Sequence, residues 1–374
     1  TPTPPPPPAT TTTTSTTASN TTPPSTPAAR VLAAATSVLS RGKPPPSSEP
    51  TSTSASAPLV ATTSQPLLLL PPPTLRVDVL RELVVQGGIP SNFRNECWSI
   101  FLGVRAAKLR EKANFSFEQM VKMAATTARP KSLKDISKDL RRTFPSVARF
   151  REGFLRDLWQ VLSAFAVHDR DIGYCQGLNY VAGGLLVFME AEVAFYALTA
   201  VVERILVGYF QRSMFGLLTD TAIFSELLAR HLPELAAHFD AVGVSILLLT
   251  SQWFSCLYIK SLPPEAAFRC WDLVLSDGAG ALFVVALRLL RHFSPVLMAM
   301  HDDIDIVLRV NTLSESLFDF DELLQYDDVP AFFDAHTVEL WRVRVLEAKI
   351  MPSIAAKEEA RREREGRQAG AGGK

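Results

Sequence analysis

The chain has 374 residues, and 38 Lys and Arg against 38 Asp and Glu leave a formal net charge of zero. No global field draws it to nucleic acid or to an acidic membrane, and its aromatic residues are not interleaved with basic ones as a nucleic-acid-binding strip requires. Four cysteines, Cys97, Cys175, Cys256 and Cys270, are widely spaced with no C-x-x-C, which excludes a zinc pattern and a secreted disulfide framework and fits a reducing cytoplasmic compartment.

Residues 1–74 are dominated by Thr, Pro, Ser and Ala, with very few charges. Such a segment has too little large apolar surface to offset its chain entropy, so a disordered arm is expected. The sequence opens on Thr1 rather than Met, as a fragment of a longer chain would. Its acid-poor, Ser/Thr-rich start overlaps in composition with organelle transit peptides, but no n-region and h-region of a signal peptide is visible.

From Leu75 the composition turns to Leu, Val, Phe, Arg and Asp, and residues 75–347 are long enough for a large core, as one domain or two closely packed lobes. The reading throughout is all-α. In GGIPSNFRNECW, Gly88-Ile89-Pro90 is a turn entering a helix that sets Arg94 and Trp98 at i, i+4 on one face, Trp98 as a core anchor and Arg94 as its polar neighbour. Phe154, Leu155, Leu158, Val161, Leu162 and Phe165 recur at helical spacing, and Phe224, Leu227, Leu228 and His231 repeat the rhythm. The run at 241–259, AVGVSILLLTSQWFSCLYI, is about long enough to span a bilayer. Its Ser245, Thr250, Ser251, Gln252 and Ser255 would lack partners there, so a buried helix or a pair of them is expected. Ser261 and Pro263-Pro264 start a helix carrying Phe268, Trp271, Leu273 and Leu275; Asp277-Gly278 ends it, and ALFVVALRLLRHF begins another. Residues 348–374 read as a fraying helix end and a flexible tail.

Two stretches carry chemistry. DISKDLRRTFP holds Ile136, Asp139 and Arg142 as I-x-x-D-x-x-R, followed by Thr143-Phe144-Pro145. Asp139 and Arg142 stand three apart, so on a helix the carboxylate can hold the guanidinium. Phe144 precedes a proline and disfavours helical dihedrals, which sets the arginine near a helix end. Alone, this pattern also describes a surface salt bridge. DIGYCQGLNY holds Tyr174, Gln176 and Gly177 as Y-x-Q-G, with Gly173 and Gly177 permitting close backbone approach and a helix beginning near Asn179. Alone, this is a capped helix connection with Gln176 bonded to backbone. An arginine supplies a permanent, planar, bidentate charge for phosphoryl oxygens, and a glutamine amide offers both acceptor and donor to a hydrolytic water. GTP hydrolysis needs these two things and little covalent help.

With both motifs in order, and with the R-x-x-x-W of Arg94 and Trp98 before them, the chain resembles the TBC family of Rab GTPase-activating proteins. The later block with Trp253, Pro263, Trp271, Asp272 and Gly278 matches that family's second lobe. The resemblance covers about Leu75 to Met300 and implies a two-lobed, all-α TBC-type domain. It implies that Arg142 stabilises transition-state charge and Gln176 positions water, with Asp139, Ile136, Thr143, Tyr174 and Gly177 in support. Tyr174 is expected to orient Gln176 or to pack, Cys175 to be buried and inert, and the later block to carry packing. The partner is then a GTP-bound Rab-family GTPase that brings its own GTP and Mg²⁺; this chain would need no cofactor or metal of its own. The resemblance leaves room for peripheral association with endomembranes.

Other chemistries find little support. The sequence has no P-loop, no G-x-S-x-G and no H-E-x-x-H. His168, Asp169 and Asp171 read as solvated loop charge, and Asp302, Asp303 and Asp305 open like a calcium loop without its glycine and terminal glutamate. The main rival is a helical module that docks a Rab or a scaffold without accelerating hydrolysis.

Overall fold

The computed structural model describes residues 77–111, 116–145 and 153–371; the arm at 1–74 lies outside them. Among the described residues the regular structure is entirely helical. Its helices fall where the apolar periodicity and the Pro and Gly signals place them.

The chain enters through α1 (Val77–Gly87), turns at Gly88 and forms α2 (Arg94–Phe101) and α3 (Val104–Glu111). Helix α4 (Phe117–Thr127) starts on a capping box, in which Ser116 and Gln119 satisfy each other's backbone N–H groups. Helix α5 (Pro130–Leu140) begins on proline, whose missing N–H costs nothing at that position. Helices α6 (Phe154–His168), α7 (Leu178–Leu186) and α8 (Ala191–Arg204) complete the first lobe. There α6 is the central element and touches α4, α5, α7 and α8.

The second lobe is built on α9 (Phe215–His231) and α13 (Ala279–Leu297), around which pack α10 (Pro233–Val242), α11 (Ile246–Ser255), α12 (Pro264–Asp277) and α14 (Asp303–Glu315). Helices α1 and α2 return to lie on α12, so the N-terminal turns belong to both lobes. The core is continuous and rich in aromatic residues, with Trp98, Trp253, Trp271, Tyr196 and Tyr258 fully buried.

The apolar run at 241–259 is a pair of helices rather than one. Gly243, at φ 90°, ends α10, and α11 leaves at 116° to it. Helix α13 is long and apolar enough to cross a membrane by length and composition, but 72% of that window is buried inside the protein. It is the core helix of the second lobe.

Residues beyond His301 are part of the same body. Asp302, read as a calcium-loop start, caps α14 by accepting from the Asp305 N–H at 2.9 Å. Helix α15 (Ala335–Val345) packs on α9 and α13. Its Arg342 forms a buried fork with Asp220 at 2.8 and 2.5 Å and also reaches the Ile205 carbonyl at 2.8 Å. Tyr209 donates to the same carboxylate at 2.6 Å. A single π-turn (Leu346–Ile350) leads into α16 (Met351–Ala371), so the charged tail continues as helix to Ala371.

Candidate functional site

The two motifs meet on α7. Helix α5 ends at Leu140, and the chain leaves it in a tight turn whose N–H groups at Arg142 and Thr143 both point back to the Asp139 carbonyl, at 3.2 and 3.0 Å. Phe144 sits at φ 44°, in the left-handed region that a bulky residue rarely occupies. That conformation costs roughly 1–2 kcal/mol. It turns the Phe144 ring inward, where it is 3% exposed and stands edge-on to Tyr180 with centroids 5.7 Å apart. Gly183 makes this seat: a Cβ there would lie 2.8 Å from the Phe144 ring. Ile136, fully buried, anchors the preceding helix from below.

The arginine is held, not free. Arg142 Nη2 lies 2.5 Å from Asp139 Oδ1; the Arg142 side chain is 53% exposed and that of Asp139 is 5% exposed. A buried carboxylate thus holds the guanidinium of a side chain that is half exposed to solvent. Tyr174 Oη donates to the other oxygen, Asp139 Oδ2, at 2.5 Å. Burial, and then this bond, push the Tyr174 phenol well above its ordinary value, so it stays a donor at physiological pH. Of the two expected roles, orienting Gln176 or packing, the tyrosine takes the second: it packs against the core and directs its hydroxyl to the arginine's carboxylate.

Gln176 stands on the neighbouring turn and is exposed; its side-chain amide has no hydrogen-bond partner among the described residues. The capping alternative is filled by another residue. Gly177, at φ 116°, starts α7, and its N–H donates to Asn179 Oδ1 at 3.1 Å. A Cβ on Gly177 would crowd the Phe210 ring at 3.1 Å, so the turn needs glycine for its dihedral and for its space. Cys175 is half-buried rather than buried; desolvation raises its thiol above the ordinary value, which disfavours the reactive thiolate.

Asn179 escaped sequence analysis. It is fully buried, and its Nδ2 donates to Thr143 Oγ1 at 2.6 Å. Thr143, also fully buried, donates in turn to the Asp139 carbonyl at 2.7 Å. A short polar residue just inside a helix N-terminus usually signals only a local cap, so nothing in the chain pointed to a partner 36 residues away.

Arg94 and Trp98 lie behind α7 and converge on Asp272, a fully buried carboxylate on α12. Arg94 Nε and Nη2 reach its two oxygens at 3.1 and 3.0 Å, Trp98 Nε1 at 2.9 Å and the Ile89 N–H at 3.0 Å. Trp98 packs on Trp271 at 5.6 Å between centroids, and Trp271 closes on Gly184, where a Cβ would lie only 2.6 Å from its ring. The block expected to carry packing alone thus also supplies the charge that ties α2 to α12. Gly183 and Gly184 let α7 be pressed between the arginine's turn and this cluster.

Among the described residues no group of three His, Cys, Asp or Glu side chains is placed to hold a metal ion. His168 pairs with Glu203 at 3.3 Å, and Asp169 accepts from the N–H groups of Asp171 and Ile172.

Among the described residues the body is helical and two-lobed, with a carboxylate-held arginine and a glutamine both exposed on turns that are tied together through α7. Residues 91–298 match the family described as Rab-GTPase-TBC domain, and the chain belongs to that family. Growth hormone-regulated TBC protein 1 of Xenopus laevis is 33% identical over 239 residues, covering 63% of this chain and 69% of that protein. The Homo sapiens protein of the same name is 32% identical over 63% of this chain and 70% of its own length. Carabin of Mus musculus is 36% identical over 54% of this chain and 46% of its own. The flagellar RabGAP TBC domain of Chlamydomonas superposes with a TM-score of 0.57 at 29% identity, covering 66% of this chain and 82% of that one. The Ypt/Rab-GAP domain of Gyp1p shares the fold with a TM-score of 0.56 at 18% identity, over 71% and 92% of the two chains. Membership carries GTPase activation as the general function and Rab GTPases as the class of partner.

Proposed function

We propose that this chain accelerates GTP hydrolysis by a Rab-type GTPase in its GTP-bound form, through Arg142 and Gln176 supplied in trans. The observation that carries this is the half-exposed side chain of Arg142, held by the buried Asp139 carboxylate. An arginine held this way loses little side-chain freedom when it meets a phosphate, and its guanidinium has donors for phosphoryl oxygens. Such an arginine is worth about 10³–10⁵ in rate, or about 4–7 kcal/mol of barrier. Gln176, exposed and with no side-chain partner among the described residues, has its acceptor and donor available for the attacking water and for a phosphoryl oxygen. GTP and Mg²⁺ belong to the partner, and the protein acts from the cytoplasm, at the periphery of the membrane that carries the GTPase.

The test is single-turnover GTP hydrolysis across a panel of purified, GTP-loaded Rab proteins. Stimulation of one or a few by orders of magnitude is expected. Binding to GTP-loaded Rabs with no acceleration of any would overturn the catalytic reading and leave a docking module.

A further inference from the structure

We propose that Asn179 is a positioning residue that locks the arginine and glutamine turns into one unit; this rests on the two-residue mechanism above. Its bonds have only one consistent polarity. The Gly177 N–H can only donate, so the Asn179 atom facing it is Oδ1, and the atom facing Thr143 must be Nδ2. The Thr143 hydroxyl then accepts from Asn179 and spends its proton on the Asp139 carbonyl, which can only accept. The result is a one-way chain from Gly177 through Asn179 and Thr143 to Asp139.

A second link closes the ring. Tyr174 donates to the Asp139 carboxylate, and that carboxylate holds Arg142. Gln176 therefore lies between two residues, Tyr174 and Gly177, that are each tied to the arginine's turn, one through a side chain of Asp139 and the other through its backbone. Asn179 and Thr143 are both fully buried, so no water competes for the inner link. Cutting it leaves both fingers present but lets their relative placement drift. Misplacement by about 1 Å costs up to about 10²-fold in rate.

The experiment uses a Rab that the panel shows to be stimulated, loaded with GTP, in single-turnover hydrolysis at increasing concentrations of this protein. It separates the rate constant at saturation from the half-saturating concentration. Thr143→Val removes the hydroxyl at nearly constant shape, Thr143→Ser restores it, and Asn179→Ala removes the bridge outright. Thr143→Val and Asn179→Ala should lower the saturating rate constant by about tenfold to a hundredfold with little change in half-saturation, and Thr143→Ser should keep it within about threefold of wild type. In the Gln176→Ala background, Asn179→Ala should cost much less than it does alone, because the glutamine it places is gone. Should Asn179→Ala fail to fold, the Val and Ser pair at Thr143 decides. A wild-type saturating rate in Thr143→Val, an equal loss in Thr143→Ser, or a loss confined to half-saturation would overturn the coupling. Full stimulation by Arg142→Ala and Gln176→Ala would instead overturn the two-residue mechanism itself.

Discussion

Truncating Gln176 to alanine separates chemistry from stability more sharply than any other change in the molecule. The side chain is exposed and has no internal partner among the described residues, and the N–H that it could have capped already donates to Asn179. Gln176→Ala therefore buries nothing and orphans nothing. Its effect on folding should stay within about 0.5 kcal/mol, a melting shift of no more than about 2 °C. Its effect on rate should be large. Losing one positioned hydrogen-bonding group at a transition state costs about 10²–10³, or about 2.7–4 kcal/mol. The assay is stimulated single-turnover hydrolysis, with far-ultraviolet circular dichroism and thermal melting as controls. A complementary arm uses a Rab whose own catalytic glutamine is changed to alanine. The wild-type protein should still stimulate it, since Gln176 takes over the water, and the Gln176→Ala variant should not. Binding of that variant to a GTP transition-state mimic should weaken but persist through Arg142. An unchanged stimulated rate for folded Gln176→Ala on a wild-type Rab would refute the reasoning and reduce Y-x-Q-G to a structural turn.

Arg142→Ala should lower stimulated hydrolysis by at least about 10³ while the protein stays folded, and Arg142→Lys should fail too because a point charge lacks the bidentate edge; a dead Arg141→Ala with an active Arg142→Ala would mean that the motif is misregistered. Asp272→Ala strips the buried partner from Arg94, Trp98 and the Ile89 N–H, and should destabilise by about 3–5 kcal/mol in denaturant melts, a loss absent from exposed pairs such as Lys138 with Asp135. Burial pushes the Cys256 thiol up to about 11, so in the native protein it should resist alkylation at pH 7–8 and react only on unfolding, as read by mass spectrometry after an iodoacetamide pulse. A chain starting near Pro71 should keep the full stimulated rate constant on a soluble Rab; a large loss would place the arm within the catalytic unit.

Much of this protein is written locally. Helical periodicity at Phe154 to Phe165, the proline start at Pro264 and the glycine stop at Gly278 act within a turn or two of themselves, and the helices form there. The register that separates Arg142 from Arg141, and the close approach at Gly177, are equally short-range. Tertiary structure decided where the buried polar groups went. Tyr174 was expected to orient Gln176 or to pack, and it packs against the core while donating to Asp139; Asn179, marked only as near a helix start, caps Gly177 and also spans to Thr143; Asp272 looked like packing and binds Arg94 from 178 residues away; Arg342 ties the last helices to Asp220. The physical reason is one asymmetry. A sequence states that a polar side chain will demand a partner once buried, because an unpaired group costs about 1–3 kcal/mol. Which partner it meets depends on which faces of distant helices are pressed together, and that choice is made by the packing of the whole core.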